Sequence, residues 1–271
     1  MMDFLQKNAE TSKQLNEMLL LRFEPIAVKF TTDDKDISET AIRPMRDLGK
    51  HMALCQAFAL TRRDKKTVYM EKGDHWCWNP MVGFGFIDNP DGEESISVIS
   101  RYFKQSSHEA ASNFFNQFPR LPQGTYTGIL SVPLCDCPLE PDLVLVYLNG
   151  AQLRSAVFAA KSVIGGLVKT ELDAIDSCVY ATIPTLKTGE FRVTIPDFGE
   201  YERAMAEEHE MIFTIPTDKM DALVAAMRST YDGRKGYPHY QREMLYDFPR
   251  PAFYNELFDV WGLDTGEQWT R

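Results

Sequence analysis

Long apolar runs are missing from this 271-residue sequence. No stretch approaches the ~18 residues that a membrane helix needs, so no membrane partner is expected. An excess of positive charge is missing too: 29 Lys and Arg stand against 39 Asp and Glu, a formal net charge of −10. Phosphate backbones are bound by basic surfaces, which argues against a nucleic-acid partner. The one concentrated basic patch, Arg62-Arg63-Asp64-Lys65-Lys66, is short and broken by an acid. It reads as a solvated turn or as a local anion contact.

The opening residues, MMDFLQKNAETSKQ, lack a basic segment followed by an apolar one. No secretory signal is therefore expected, and the expected compartment is the cytoplasm. Internal repeats, low-complexity tracts and Gly/Ser linkers are absent. So are a P-loop, a G-x-S-x-G elbow, an H-E-x-x-H pair and an EF-hand loop. The glycines of Met81-Val82-Gly83-Phe84-Gly85-Phe86 do not complete a dinucleotide fingerprint; they suit places where the backbone must approach another group closely.

What remains is the composition of an ordinary globular chain, 44% apolar and 25% charged. Periodicity and punctuation predict helices over residues 3–21, 51–61, 107–117, 151–164 and 218–229. A capping box of Ser106 and Glu109 opens the third, and Thr217 is a plausible N-cap for the last. Strands are expected at 26–30, 67–70, 95–103, 125–132, 143–148, 178–183, 191–195 and 211–215. The continuous run Leu143-Val144-Leu145-Val146-Tyr147-Leu148 predicts a strand buried on both faces. A turn at Asn149-Gly150, a helix stopped by Gly165-Gly166, and a strand at 178–183 would complete a β-α-β passage. The expected fold is α/β or α+β, one compact domain with a mixed sheet flanked by helices. Its last 40 residues or so (231–271) form an aromatic, proline-rich extension that wraps the domain or makes a homodimer contact.

Five cysteines occur, at 55, 77, 135, 137 and 178, with no C-x-x-C pair. That weakens a zinc ribbon and a thioredoxin-like motif alike. Cys55, Cys77 and Cys178 each lie near the end of an expected element, where a side chain is either a small buried hydrophobe or part of a cleft. Cys77 is flanked by Trp76 and Trp78, with His75 beside them; His51 precedes Cys55. A Cys–His nucleophile pair is thus open. Cys135 and Cys137, in a loop between Pro133 and Pro138, could be a metal or redox pair or could face opposite sides of the loop. Lys29 ends an apolar run, where it could sit at a pocket mouth or snorkel to the surface.

The ordered set LLLRFEPIAVKF, then CQA, then a cysteine with a glycine turn, resembles the DUF169 family. The likeness continues through Pro141-Asp142-Leu143-Val144-Leu145-Val146, Ala151-Gln152, the segment around Cys178 and EMIFTIP at 210–216. The resemblance implies that Cys55, Cys77, Cys178 and Lys29 are family positions, whereas Cys135 and Cys137 are not. It departs at Gly199-Glu200-Tyr201, where many relatives carry Gly-x-Arg. If that arginine binds an anionic ligand in relatives, the ligand here differs.

Thiolates are soft ligands, suited to iron–sulfur clusters or zinc. The leading expectation is a [4Fe-4S] cluster on Cys55, Cys77 and Cys178, with one iron open for elimination, hydration or sulfur removal on a small anionic substrate. Lys29 or His75 would orient that substrate or move a proton. Trp76, Trp78, Gly83 and Gly85 would wall the pocket. The alternatives are a metal-free module that binds or senses a small ligand, and an enzyme that uses Cys77 as nucleophile with His75 or His51 as base.

Overall fold

A computed structural model of the chain describes residues 3–35, 37–88, 92–102, 107–233 and 252–262. It divides at residue 236 into two units. The first is α/β and contains an open, mixed seven-stranded sheet. Its strands are β1 (Ile26–Thr31), β2 (Val68–Glu71), β3 (Gly128–Pro133), β4 (Leu143–Leu148), β5 (Lys169–Thr170), β6 (Arg192–Thr194) and β7 (Met211–Pro216). They are ordered β2-β3-β1-β4-β7-β6-β5, and every neighbouring pair is antiparallel except β5 with β6.

The two-residue period of a strand sorts its side chains between two cores. Ile26 stands opposite Leu145 and Val28 opposite Leu143, on one face; Ala27 stands opposite Val144 on the other. Behind the Ala27 face lie three long helices, α1 (Phe4–Leu19), α6 (Gly150–Ile164) and α10 (Met220–Gly233). Leu15, Ala156, Ala160, Leu223 and Met227 pack there on Val144, Val146, Phe213 and Ile215. Asn149 caps α6 through its Oδ1, which accepts from the backbone N–H groups of Ala151 and Gln152. Gln152 in turn donates to the carbonyls of Leu19 and Leu20, tying α6 to the end of α1. Gly165, at φ +66°, ends α6 in the left-handed conformation that glycine adopts without strain.

The other face carries shorter pieces: α2 (Leu54–Asp64), α3 (Trp78–Gly83), α7 (Ser177–Tyr180), α8 (Ile183–Thr188) and α9 (Phe198–Arg203). Helices α4 (Gly92–Tyr102) and α5 (His108–Gln117) form a satellite around Ile96, Ala111 and Phe115. In the second unit only α11 (Ala252–Val260) and its exit are described, with Phe253 edge-on to Tyr254. The wrap or homodimer contact expected of residues 231–271 falls largely on 234–251 and 263–271, outside the described residues. Among the described residues no helix is long and apolar enough to cross a membrane.

Two expected strands are helices. Residues 95–103 alternate serine with Ile96 and Val98, yet Val98 is 52% exposed while Ile96 is buried. Burial follows one helical stripe against α5, and Glu93 and Glu94 suit the first turn of α4. The segment 178–183 has strand-like composition but folds as α7 and the start of α8. Thr182 donates its hydroxyl back to the carbonyl of Cys178, Pro184 opens α8, and Thr214 of β7 donates to the carbonyl of Ala181. The β-α-β passage therefore closes on β5, not on 178–183. Smaller shifts occur at helix starts. Ser107, not Ser106, caps α5, and the Thr217 hydroxyl finds no partner among the described residues, so it caps nothing.

Candidate functional site

Cys55 is the second residue of α2, whose start is fixed by Gln56: its Oε1 accepts from the backbone N–H of Ala53. Residues 75–77 run beside this start as a parallel bridge between Met52 and His75. Met52 donates to the Asp74 carbonyl at 2.8 Å, and Trp76 donates to the Met52 carbonyl at 3.3 Å. That pairing packs Cys77 onto the small cluster of Ala53, Cys55, Ala59 and Ala204. Cys77 then leads into α3.

Cys178 arrives by a glycine. A Cβ on Gly83 would lie 3.1 and 3.2 Å from the two Val179 methyls and 3.3 Å from Ile183 Cδ1. The missing Cβ lets α3 sit close to α7 and α8 without displacing those methyls. Gly85 serves the chain in another way. Its φ of +70° makes the turn after α3, and a Cβ there would run into the Pro122 carbonyl. Both glycines thus occupy close approaches of backbone.

Asp197 ties α7 to α9. One oxygen accepts from the backbone N–H and the hydroxyl of Ser177, and the other from the backbone N–H of Glu200. Helix α9 brings Arg203 to the site. Its guanidinium folds back over Gly199, where any Cβ would overlap it, and reaches the Cys55 sulfur. The same guanidinium lies over the Trp76 ring at 4.9 Å.

The three thiols are mutual electrostatic neighbours. Burial pushes the Cys178 thiol well up, and Cys55 and Cys77 add to the push. Burial also raises Cys55 and Cys77, while Arg203 opposes the rise in both. Unaided, the three are therefore neutral at pH 7. Behind them is a second buried network. Glu200 accepts from Ser177 Oγ at 2.7 Å and from the Tyr147 hydroxyl at 3.0 Å, and burial followed by Asp197 lifts its carboxyl to about 7. Arg62 stacks over the Tyr147 ring at 4.0 Å and pairs with Glu210 at 2.7 Å, both side chains almost fully buried. Asp176 is buried without a hydrogen-bond partner among the described residues, and burial followed by Asp173 and Asp197 raises its carboxyl to about 8. Asn79 leans towards it, but its amide donates to the Ile175 carbonyl at 3.3 Å.

The remaining expected site residues are placed differently. Lys29 shares the parity of Ala27 and so belongs to the opposite face of the sheet from Cys178; it pairs with Asp142 at 2.8 Å. His75 is 7% exposed, tilted against Phe86 at 5.3 Å, and neither ring nitrogen has a partner among the described residues. Burial lowers its pKa to about 3, so it is neutral and is not bonded to Cys77. His51 Nδ1 is bonded to the Gly73 carbonyl. Trp76 is half exposed at the site's rim, whereas Trp78 turns away onto Phe114 and Phe118. Cys135 and Cys137 also lie apart from the three thiols. Cys137 is buried in the core on the Lys29 side, and Cys135 sits beside Glu24 and Lys65. No sequence pattern marks Arg203, Asn79, Asp176 or Glu200 as a site residue. Asp176 lies two positions before Cys178, however, and Glu200 stands where the chain departs from Gly-x-Arg, so two of the four adjoin legible signals.

Among the described residues no three His, Cys, Asp or Glu side chains form a group able to hold a metal ion. A four-iron cluster makes a different demand, because its thiolates attach around a body larger than one ion. The three thiols, soft donors from separate segments, are of the ligand type that such a cluster uses.

No curated protein and no solved structure matches the chain. A family model does, over residues 14–226, which takes in every element of the site from Cys55 to Arg203. The chain belongs to the DUF169 family, described as an uncharacterised ArCR group.

Proposed function

We propose that Cys55, Cys77 and Cys178 bind a [4Fe-4S] cluster and that the protein acts on a small anionic substrate in non-redox lyase or sulfur chemistry. The supporting observation is the meeting of three thiols, from α2, the start of α3 and α7, beside one guanidinium. Such a cluster, when bound, supplies an open Lewis-acidic iron.

The chain's own residues do the rest. Arg203, at the rim, attracts and orients the anion, the role expected of Lys29 from the sequence. Trp76 shelters one side of that guanidinium. Glu200, hydrogen-bonded to Tyr147 and Ser177, can hold a proton near neutral pH behind Cys55. His75 and His51 leave Cys77 without a base, which disfavours the nucleophile reading. Buried neutral thiols must each lose a proton to become ligands, so loading is expected to improve as pH rises.

The test is iron and acid-labile sulfide on protein purified and reconstituted without oxygen, with a visible spectrum. Near-stoichiometric iron, lost on Cys55→Ala, Cys77→Ala or Cys178→Ala and kept on Cys135→Ala, is the expected result. A colourless, iron-free protein after reconstitution would return the thiols to the packed core and leave a metal-free binding module.

A further inference from the structure

Three hydrogen-bond acceptors at this site have no donor within hydrogen-bond distance among the described residues: both oxygens of Asp176, towards which the Asn79 amide only leans, and Oδ1 of Asn79. Asp176 is fully buried and Asn79 is 5% exposed. Buried polar atoms are nearly always paired, so three on two neighbouring side chains point to a ligand that donates hydrogen bonds. Asp173 and Asp197 add negative charge to this end of the site. The other pole is Arg203, whose Nε is likewise buried without a partner. Residues 76–79 connect the two poles: Arg203 lies over the Trp76 ring at 4.9 Å, and Asn79, in the first turn of α3, donates to the carbonyl of Ile175, the residue before Asp176.

We propose that this site takes a small α-amino acid, with its carboxylate on Arg203 and its ammonium on Asp176 and Asn79. An ammonium carries three N–H donors, one for each unpaired acceptor, and its charge suits a carboxylate that has two others near it. A guanidinium presents a planar fork that fits a carboxylate. A simple carboxylic acid leaves the Asp176 end unpaired, and a dicarboxylate sets a second negative charge against Asp173 and Asp197. A hydroxy acid supplies one donor where three acceptors wait. The proposal rests on the cluster reading for the role of the thiols, while the groups that hold the ligand are not thiols.

Calorimetric titration of the full-length protein, metal-free and reconstituted, with L-alanine, L-serine, L-lactate and acetate tests this. Saturable binding of the two amino acids is expected, with lactate and acetate about tenfold weaker or more. Arg203→Met and Asp176→Asn should each weaken alanine binding by about tenfold or more. Should Asp176→Asn fail to fold, Arg203→Lys, at the partly exposed end, keeps the charge but removes the fork and should still weaken binding. The proposal is overturned if neither amino acid binds, if lactate binds as tightly as alanine, or if the substitutions leave affinity unchanged. Iron and sulfide assays on the same samples separate the two ideas. A cluster-bearing protein that ignores amino acids sinks only the ligand, and an iron-free protein that binds alanine sinks only the cluster.

Discussion

On the Ala27 face of the sheet, helices of 16, 15 and 14 residues bury leucine, alanine, valine and methionine against β4 and β7. On the Val28 face, four of the helices have only four or six residues, and among them lie Arg62, Asp176, Ser177, Asp197, Glu200, Glu210 and three thiols, all but Cys77 buried. Burying polar and ionisable groups costs stability unless they are paired, so the second face sets its hydrogen-bonded network beside an apolar cluster of Ile26, Val28, Phe58, Phe84 and Leu145, while the first face is built on apolar packing. Long helices offer it a continuous stripe. Short ones place side chains at many angles, which suits a site. One sheet thus divides a scaffold from a reactive surface.

The sharpest way to break this division is on the scaffold. Leu223 is fully buried in α10, and Leu223→Ala should cost about 2–5 kcal/mol in urea unfolding. The folded fraction should keep the iron content and thiol reactivity of the parent protein. A cost below about 1 kcal/mol would mean that Leu223 is not tightly packed in the long-helix face.

Next in size is a pH effect confined to the reactive face. The carboxyls of Asp176 and Glu200 are raised from 3.8 to about 8 and from 4.5 to about 7. A raised acid stabilises fully below its unfolded pKa and loses that contribution as pH climbs through its folded pKa. His75 is lowered from 6.5 to about 3, so its contribution is complete above 6.5 and fades only as pH falls. Between pH 6.5 and 8 the carboxyls act alone, and stability should decline by about 2 kcal/mol from Asp176. Asp176→Asn should flatten that decline in denaturant melts, and Glu200→Gln should flatten it only up to neutrality. A pH-independent melt over this range would show that Asp176 is compensated.

The scaffold was the readable half of the sequence. Helices α1, α6 and α10 follow apolar stripes, α6 with its cap and glycine stop, and β4 is a continuous apolar run, because on that face burial and propensity agree. The reactive face was legible in composition but not in shape. Cys178-Val179-Tyr180-Ala181-Thr182-Ile183 carries strand-forming residues, and the local bond from Thr182 to the Cys178 carbonyl acts with the tertiary bond from Thr214 to the Ala181 carbonyl to hold it in its turns. The proximity of Cys55 to Cys77 rests on a parallel bridge between Met52 and His75, a pairing that no local pattern marks. Arg203 was not readable, since its approach to Cys55 depends on folding back over Gly199, a contact that no linear pattern encodes.

Gly83 joins the two descriptions, because it is a packing residue that serves the site. Gly83→Ala would set a methyl 3.1–3.3 Å from Val179 and Ile183, so those side chains or α3 itself must give by a few tenths of an ångström. The expected cost is about 1–3 kcal/mol, with faster alkylation of Cys77 and weaker iron loading. Gly85→Ala, strained by its φ of +70° and by Pro122, should destabilise comparably through the turn while sparing iron loading. Equal losses of iron in both variants would assign Gly83 to general packing alone.

The smallest effect is expected at Lys29, and it sharpens the comparison most cleanly. Its salt bridge to Asp142 is about a third exposed on the lysine side and a quarter on the aspartate side. Pairs of this kind contribute about 0–1 kcal/mol, so Lys29→Met should scarcely move the urea midpoint. Asp142 does more than neutralise the lysine, since its other oxygen accepts from the backbone N–H of Phe30 at 2.8 Å. Asp142→Ala should therefore cost more than Lys29→Met, by about 1–2 kcal/mol for the stranded donor. Neither change should alter iron content or alanine affinity, because the alternation of β1 sends Lys29 to the scaffold face. Loss of either property in Lys29→Met, with stability intact, would show that the two faces communicate through the sheet and that the lysine serves the site from behind.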